Sequence, residues 1–579
     1  MPGLIGIVSS APQHDIERVL TRMIESMWHG DWYKVGQFVS PRRTFACAHV
    51  HLGILPTRNS SHHWFHGEET DGFTRIDYDE AAQTLTITND PFGMMPLFYT
   101  QAGDQLIFAT ELKAVLAHPA VSPRLDPHGL ADLMTFGFIF GEKTLVRDVK
   151  CLRGGSRLHF NTRTGQLNLE RTWDFRQHIG HGARGDSTAL DEIGHRFQQA
   201  VGARCGGDLQ IGVSLSGGYD SRTIHAAIDH RRHLIKTLTL DVRGGADQII
   251  SEQIARVTNG LKNHAFVENS GDFFALWPQY VREMVWLTDG QYFDEACVMM
   301  STLDKYRELG VQVALRGHGG EIARMQWAYE LTCNRQILAC KSPAELQAQL
   351  FRQMRCGLSD GDLDTLLVPE LADAMRDGPR RSMDEAFDGI DPKLHPVDQV
   401  TCVYAQEYLR RQSVPSLAEL RSRVEVRLPF LDREYVAAVL QLTPQARLGT
   451  TVHRHLLRQF NPALLRITNA NTGAPAGAND FTQRLYRKTN GYLKRFFGYE
   501  RYKHYVDVPG WLRGPLRPHV ESVLLDKRTL RRGLYREDGV RELVHVHMSG
   551  QRDRGAALLL LLFLELWHRQ FVDGEFWRC

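Results

Sequence analysis

The chain has 579 residues and 69 Lys and Arg against 67 Asp and Glu, a formal net charge of +2, so electrostatics gives no case for a nucleic-acid partner. That length exceeds what one hydrophobic core serves and predicts two or three domains. Its nine cysteines are scattered, odd in number and never paired as Cys-x-x-Cys, which fits reduced thiols in a cytoplasmic protein better than a disulfide framework or a zinc site.

The chain opens on Met1-Pro-Gly-Leu-Ile-Gly-Ile-Val8, a buried strand by pattern, with no basic region and long apolar run to suggest a signal peptide. Asp90 to Tyr99, Leu106 to Pro119 and Leu130 to Phe138 read as strands with a glycine turn and then two helices. Residues 160–190 are polar and glycine-rich (Asn161, Thr162, Thr164, Gly165, Gly180, Gly182, Gly185), which predicts a last hairpin and a linker. The opening resembles class II glutamine amidotransferases, and the runs from Asp90 on resemble the N-terminal domain of asparagine synthetase B. In those enzymes the residue after Met becomes an N-terminal Cys nucleophile. Pro2 stands there and has no thiol, so glutamine hydrolysis by that route is excluded. The family's glutamine-holding Asn-Gly-Glu-Ile-Tyr-Asn motif is missing, the segment between His51 and Asp90 is shorter, and His66-Gly-Glu68 is at most a remnant. Trp173-Asp174 matches the family's Tyr-Trp-Asp. The resemblance implies a degenerate N-terminal nucleophile-type αββα domain over residues 1–175, kept for packing against a second domain.

From Thr188 a helical pattern leads to a mostly apolar run, Leu209 to Leu215, that reads as a buried strand. It ends in Ser216-Gly217-Gly218-Tyr219-Asp220-Ser221, and a helical segment follows from Arg222 towards His230. Strand, glycine turn and helix start make an anion site. Adjacent glycines let backbone N–H groups converge, and the helix N-terminus adds partial positive charge. Ser216 and Ser221 can donate to the same oxygens. Asp220 would repel a phosphate, so its presence calls for a cation, and Mg2+ bridging carboxylate and phosphates supplies one. The turn lacks the Gly-Lys-Ser/Thr of a Walker A loop. It resembles the pyrophosphate loop of enzymes that split ATP into AMP and pyrophosphate.

Ile235 to Leu240, His264 to Val267 and Val311 to Leu315 read as further strands, with a helix from Asp247 to Thr258. This alternation predicts a doubly wound parallel sheet with its ligand at the carboxyl ends of the strands, where Ser216 to Asp220, Asp241 and Arg316 to Glu321 fall. In Gly317-His-Gly-Gly-Glu321 the glycines allow close approach to a ligand. Asparagine synthetases have Gly-Glu-Gly-x-Asp-Glu at the matching place. The resemblance puts Glu321 where their Mg2+-holding Asp stands, and His318 where they have the first Glu. A neutral imidazole there can take a proton from an attacking amine, or it can merely hydrogen-bond across the turn.

Residues 322–420 read as charged helices. Glu425-Val-Arg-Leu-Pro-Phe-Leu-Asp432 matches the family's Glu-x-Arg-x-Pro-Phe-Leu-Asp and reads as a paired-charge turn with Asp432 as a helix N-cap, Arg427 lying towards the site. His453 to Arg458 and Pro462 to Arg466 also resemble the family, but the lysine that stabilises its oxyanion is replaced by the run after Arg466; Arg222 or Arg316 is the candidate substitute. Residues 475–579 read as basic helices without a motif. Their most apolar run, Ala556 to Leu564, is too short to span a bilayer, stops at Glu565 and reads as a buried helix, so no membrane partner is expected.

The resemblance implies that residues 188–579 form an ATP-pyrophosphatase domain of the adenine nucleotide α-hydrolase type with added helices. It implies ATP held by Leu215, Ser216, Gly217, Gly218, Tyr219, Asp220, Ser221, Leu240 and Gly317. Mg2+ would be held by Asp220 and Glu321, with His318, Arg316 and Arg222 as catalytic groups. The expected activity is AMP-forming amide ligation of a carboxylate to an amine. Other family members without the glutaminase include β-lactam synthetases and the macrolactam cyclases of lasso peptides. The His in the Gly-x-Gly-Gly turn points to the latter, hence to a precursor peptide as substrate and a leader peptidase as partner. The alternatives are an ammonia-dependent asparagine synthetase and a nucleotide-binding pseudoenzyme.

Overall fold

The structure, a computed structural model, describes residues 1–180, 187–258, 260–268, 272–292, 296–498, 501–503 and 506–575. The linker glycines Gly182 and Gly185 lie outside the described residues.

The N-terminal strands are β1 (Gly3–Ser9), β2 (Lys34–Val39), β3 (Phe45–His51), β4 (His63–Gly67), β5 (Phe73–Asp79), β6 (Thr84–Asn89), β7 (Phe98–Ala102), β8 (Gln105–Ala109), β9 (Lys150–Cys151), β10 (Ser156–Asn161) and β11 (Gln166–Arg171). They form two antiparallel sheets, one in the order β2-β3-β1-β8-β7-β9 and one in the order β11-β10-β6-β5-β4. Leu4, Val8, Phe45, Trp64, Ile76, Leu85, Phe108 and Phe160 interleave between the sheets as one core. Helices α1 (Ile16–Ser26) and α2 (Leu112–Leu116) cover the outer face of the first sheet. Between His51 and Asp90 the chain supplies β4 to β6 and no helix.

Inside this domain His49 and His66 are buried, with His49 Nε2 3.0 Å from His66 Nδ1. Burial, helped by His51, pushes the His49 ring down to about 3. Native His49 stays unprotonated where the unfolded chain, with an ordinary imidazole, takes a proton. Stability present above pH 6.5 is thus lost as pH falls towards 3, by about 2 kcal/mol at pH 5 from this residue alone. Urea denaturation at pH 7 and pH 5 should show a difference that shrinks by that amount in His49→Gln.

After helices α3 (Pro127–Phe136) and α4 (Ser187–Arg204), a five-stranded sheet forms from β12 (Ile211–Ser214), β13 (Lys236–Asp241), β14 (His264–Glu268), β15 (Val313–Leu315) and β16 (Glu425–Arg427). All its pairings are parallel and the order is β14-β13-β12-β15-β16. The last strand corrects the reading of Glu425–Arg427 as a turn: Val313 faces Glu425 and Leu315 faces Arg427 in register. Asp432 does cap the next helix, Arg433–Leu440, accepting from Glu434 and Tyr435 N–H at 3.1 Å. Helices α5 (Asp220–Ala227) and α6 (Ala246–Val257) pack on β12 and β13.

The two halves are joined by buried charge. The π-helical segment Tyr404–Ser413 and the helix Val414–Arg421 aim arginines at carbonyls of the N-terminal half: Arg411 at Ile139 (2.9 Å) and Arg421 at Met94 (2.5 Å). Arg427 pairs with Glu68 at 2.5 Å, and Arg204 with Asp71 at 3.1 Å. The motif remnant around Glu68 is thus an interdomain clamp, and Arg427 points away from the cleft. The apolar run near the C-terminus is longer than expected. Helix Gly555–Trp567 continues through Val572, and those 18 residues are long and apolar enough to cross a bilayer, yet 83% of them are buried inside the protein. Glu565 is buried there against Arg532 and Arg569.

Candidate active site

β12 and β15 are sheet neighbours but not consecutive in the chain, which makes the gap between them the topological switch point. The loops after these two strands form a cleft of about 280 Å³. Ser216, Asp220, Ser221, Asp247, Arg316, Gly317, His318 and Glu321 line its polar side, and Leu215, Leu238, Leu240 and Met299 its apolar side. A larger hollow, about 560 Å³ and mostly apolar, lies between Trp28–His29 and Pro278–Leu287 and shares no lining residue with the cleft.

Helix α5 begins at Asp220, two residues before the expected start, so Asp220 stands in its first turn. Ser221 Oγ accepts the Ser216 N–H at 3.0 Å and lies 3.0 Å from Ser216 Oγ. The Gly217 N–H donates to Asp247 Oδ1 at 2.8 Å. The two glycine turns touch: a Cβ on Gly317 would sit 2.6 Å from the Asp220 Cβ, and one on Gly320 would sit 2.3 Å from Asp220 Oδ1. Glycine is required because any side chain there would drive the loops apart.

Two expected site residues are turned elsewhere. Tyr219 is buried, donates to the Ala476 carbonyl at 2.7 Å and accepts from Gln483 at 3.1 Å. It anchors the loop to the 475–483 segment and leaves only its backbone for a nucleotide. Arg222 is fully buried and donates to the carbonyls of Gly217, Leu464, Ile467 and Thr468. Its charge ties the floor of the loop to the chain after Arg466 instead of facing the cleft. Burial pushes it down to about 10, still charged at neutral pH. Arg316 is the expected arginine that lines the cleft.

The carboxylates expected to hold Mg2+ already have partners. Arg324 Nε donates to Asp220 Oδ1 at 3.1 Å, and its Nη2 bonds both Asp220 Oδ2 and, at 2.9 Å, Glu321 Oε1. His453 Nε2 is 2.9 Å from Asp220 Oδ1, and the Tyr404 hydroxyl donates to Glu321 Oε2 at 2.8 Å. Every oxygen of the two carboxylates is therefore engaged by a protein donor. Burial pushes the Asp220 carboxyl upward, but Arg324 and His453 outweigh it and hold the group well below the usual carboxylate range. Burial raises Glu321, partly opposed by Arg324. Among the described residues no group of three or more His, Cys, Asp or Glu is arranged to hold a metal ion. The residues present do not fit a protein-bound Mg2+ at this pair.

His318 is half-buried and lines the cleft, and its enclosed Nδ1 has no hydrogen-bond partner. Burial, with Arg316 and Arg421 nearby, pushes the ring down to about 3, against a small opposing pull from Asp220. The ring is neutral at physiological pH, as expected, but it is a far weaker base than an ordinary imidazole.

Residues 192–465 match the family model described as asparagine synthase, and residues 68–173 match the one described as a glutamine amidotransferase domain. Over residues 192–465 the chain is thus similar to asparagine synthetases. A Mycobacterium tuberculosis protein provisionally named a glutamine-hydrolysing asparagine synthetase is 25% identical over 86% of this chain and 76% of its own length. The glutamine-hydrolysing asparagine synthetase 3 of Bacillus subtilis is 32% identical over 26% of this chain and 24% of its own, and asparagine synthetase 1 is 26% identical over 43% and 38%. The stretch matched by the asparagine synthase model contains both glycine turns and β16, and these matches support a carbon–nitrogen ligase.

Proposed function

We propose that this chain is an ATP-dependent, AMP-forming amide ligase that activates a substrate carboxylate and joins it to an amine without hydrolysing glutamine. The carrying observation is the contact of the Ser216–Ser221 turn with the Gly317–Glu321 turn at the switch point. The first intrahelical bond of α5 comes from the Thr223 N–H, so the N–H groups of its first turn are available to phosphate oxygens. Ser216 and Ser221 add hydroxyls, and Leu238 and Leu240 an apolar wall for a base. A carboxylate oxygen attacks the α-phosphorus and pyrophosphate leaves with the broken P–O bond. The amine nitrogen then attacks the acyl carbon, AMP leaves, and the amine gives up a proton.

In the N-terminal half Cys47 and Cys151 are buried in strands, and burial pushes the Cys47 thiol well up, the opposite of an activated nucleophile. Nitrogen must then come with the substrate or as ammonia. The finer reading is macrolactam formation in a lasso-type peptide, with a precursor peptide as substrate after a leader peptidase has acted. Neutral His318 in the second turn supports it. The relatives are named glutamine-hydrolysing asparagine synthetases, which favours asparagine synthesis as the second reading; with Pro2 in place of the thiol, ammonia would be its nitrogen source. The test offers ATP with a candidate peptide, or with aspartate and ammonia, and follows nucleotide products. AMP and pyrophosphate are expected, with no glutamate released from glutamine; ADP and phosphate would overturn the mechanism.

A further inference from the structure

Arg324 came from no motif, yet it sits between the two glycine turns with its charge buried against both carboxylates. Its planar fork spans Asp220 and Glu321 at once, the geometry a guanidinium offers and an ammonium does not. Nη1 is turned to the Trp327 carbonyl at 3.5 Å, and Nε and Nη2 face the carboxylates. His453 and Tyr404 also donate to the pair, so each of the four carboxylate oxygens already meets a protein donor.

We propose that Arg324 is the resident cation of this site, standing where a divalent ion would bridge Asp220 and Glu321, so that the protein carries no metal site of its own there. Mg2+ needs near-octahedral oxygen ligands and usually takes one or two carboxylates as anchors. Here both candidate anchors are held by one covalently tethered positive charge, which cannot dissociate with product. Arg324 is a positioning residue: it locks the Ser216–Ser221 turn to the Gly317–Glu321 turn before any ligand arrives. Any metal in the reaction then enters with ATP as part of the substrate. This inference rests on the nucleotide reading of the cleft only for that last consequence.

The test is Mn2+ binding by electron paramagnetic resonance, on the full chain without nucleotide, so turnover is not involved. Wild type is expected to show no Mn2+ site that disappears in Asp220→Asn. Arg324→Met, which frees two carboxylates of their cation, is expected to gain one Mn2+ site, and Arg324→Met with Asp220→Asn to lose it. A wild-type Mn2+ site abolished by Asp220→Asn overturns the proposal, as does a folded Arg324→Met with no gain. If Arg324→Met does not fold, the comparison of wild type with Asp220→Asn still decides, because a shared absence of binding supports the proposal and a wild-type site refutes it. Failure of the ligase reading would appear separately, as absent AMP formation with Mn2+ behaviour unchanged.

Discussion

Asp220→Ala is expected to lower pyrophosphate release by at least about a hundredfold, the scale seen when one preorganised electrostatic group is removed from an active site. Asp220 joins three parts of the molecule: the first turn of α5, the Arg324 guanidinium from the second glycine turn, and His453 from the helix Thr451–Phe460. Alanine would leave the Arg324 charge with Glu321 alone in a buried setting. Breaking such a pair from one side typically costs about 3–5 kcal/mol, because the remaining charge is uncompensated. The variant should therefore unfold at lower urea concentration as well as lose activity. Asp220→Asn keeps the volume and an acceptor oxygen, so it should recover part of the stability but not the rate. Pyrophosphate exchange and urea denaturation on both variants read the two effects apart. Normal exchange in Asp220→Ala would remove the cleft from the chemistry.

The parts of the site visible in the sequence are those carried by local pattern. The run ahead of Ser216 and the glycine turns at 216–218 and 317–320 announce themselves, because strand hydrophobicity and the need for close backbone approach are encoded within a few residues. The parallel sheet follows from the same local alternation. β16 was not visible: three residues, two of them charged, carry no strand pattern, and only pairing with β15 makes them one. Arg324 and His453 reach Asp220 from 104 and 233 residues away, so no spacing rule could connect them. Tyr219 and Arg222 lie inside the motif, yet their side chains serve the 464–483 segment, which packs beneath the loop through Leu464 and Ala476. A motif fixes where the backbone turns; which way its side chains point depends on what the distant chain lays against them. The short segment between His51 and Asp90 was legible as such, and the structure fills it with β4 to β6.

That half has a structural consequence for the site. Glu68 and Asp71 take Arg427 and Arg204, and Arg421 and Arg411 take carbonyls at Met94 and Ile139. Tyr404, which holds Glu321, begins the same π-helical segment that carries Arg411. The N-terminal half thus braces the element that supports the second glycine turn.

His318→Ala is expected to slow amide formation by roughly a hundredfold while leaving ATP–pyrophosphate exchange nearly intact, the lower end of what a group handling a proton contributes. The reason is positional: His318 lies in the second turn, lines the cleft and keeps a buried Nδ1 without a partner, so a substrate amine has a ring nitrogen to meet. Its ring, pushed down to about 3, is neutral at every working pH. An ordinary imidazole base would lose effectiveness as pH fell through about 6.5, whereas this one would not. Amide formation should therefore show no acidic limb near pH 6.5 that belongs to His318, and any limb at higher pH belongs to the amine itself. Measured on wild type and variant, the pH profile separates the two forms of the idea. A limb at 6.5 that vanishes in His318→Ala would restore an ordinary base and contradict a ring held neutral by its surroundings. If exchange and amide formation fall in parallel, His318 only supports the turn that carries Glu321. If neither falls, the unpartnered nitrogen meets no substrate, and proton transfer from the amine proceeds through some other group lining the cleft.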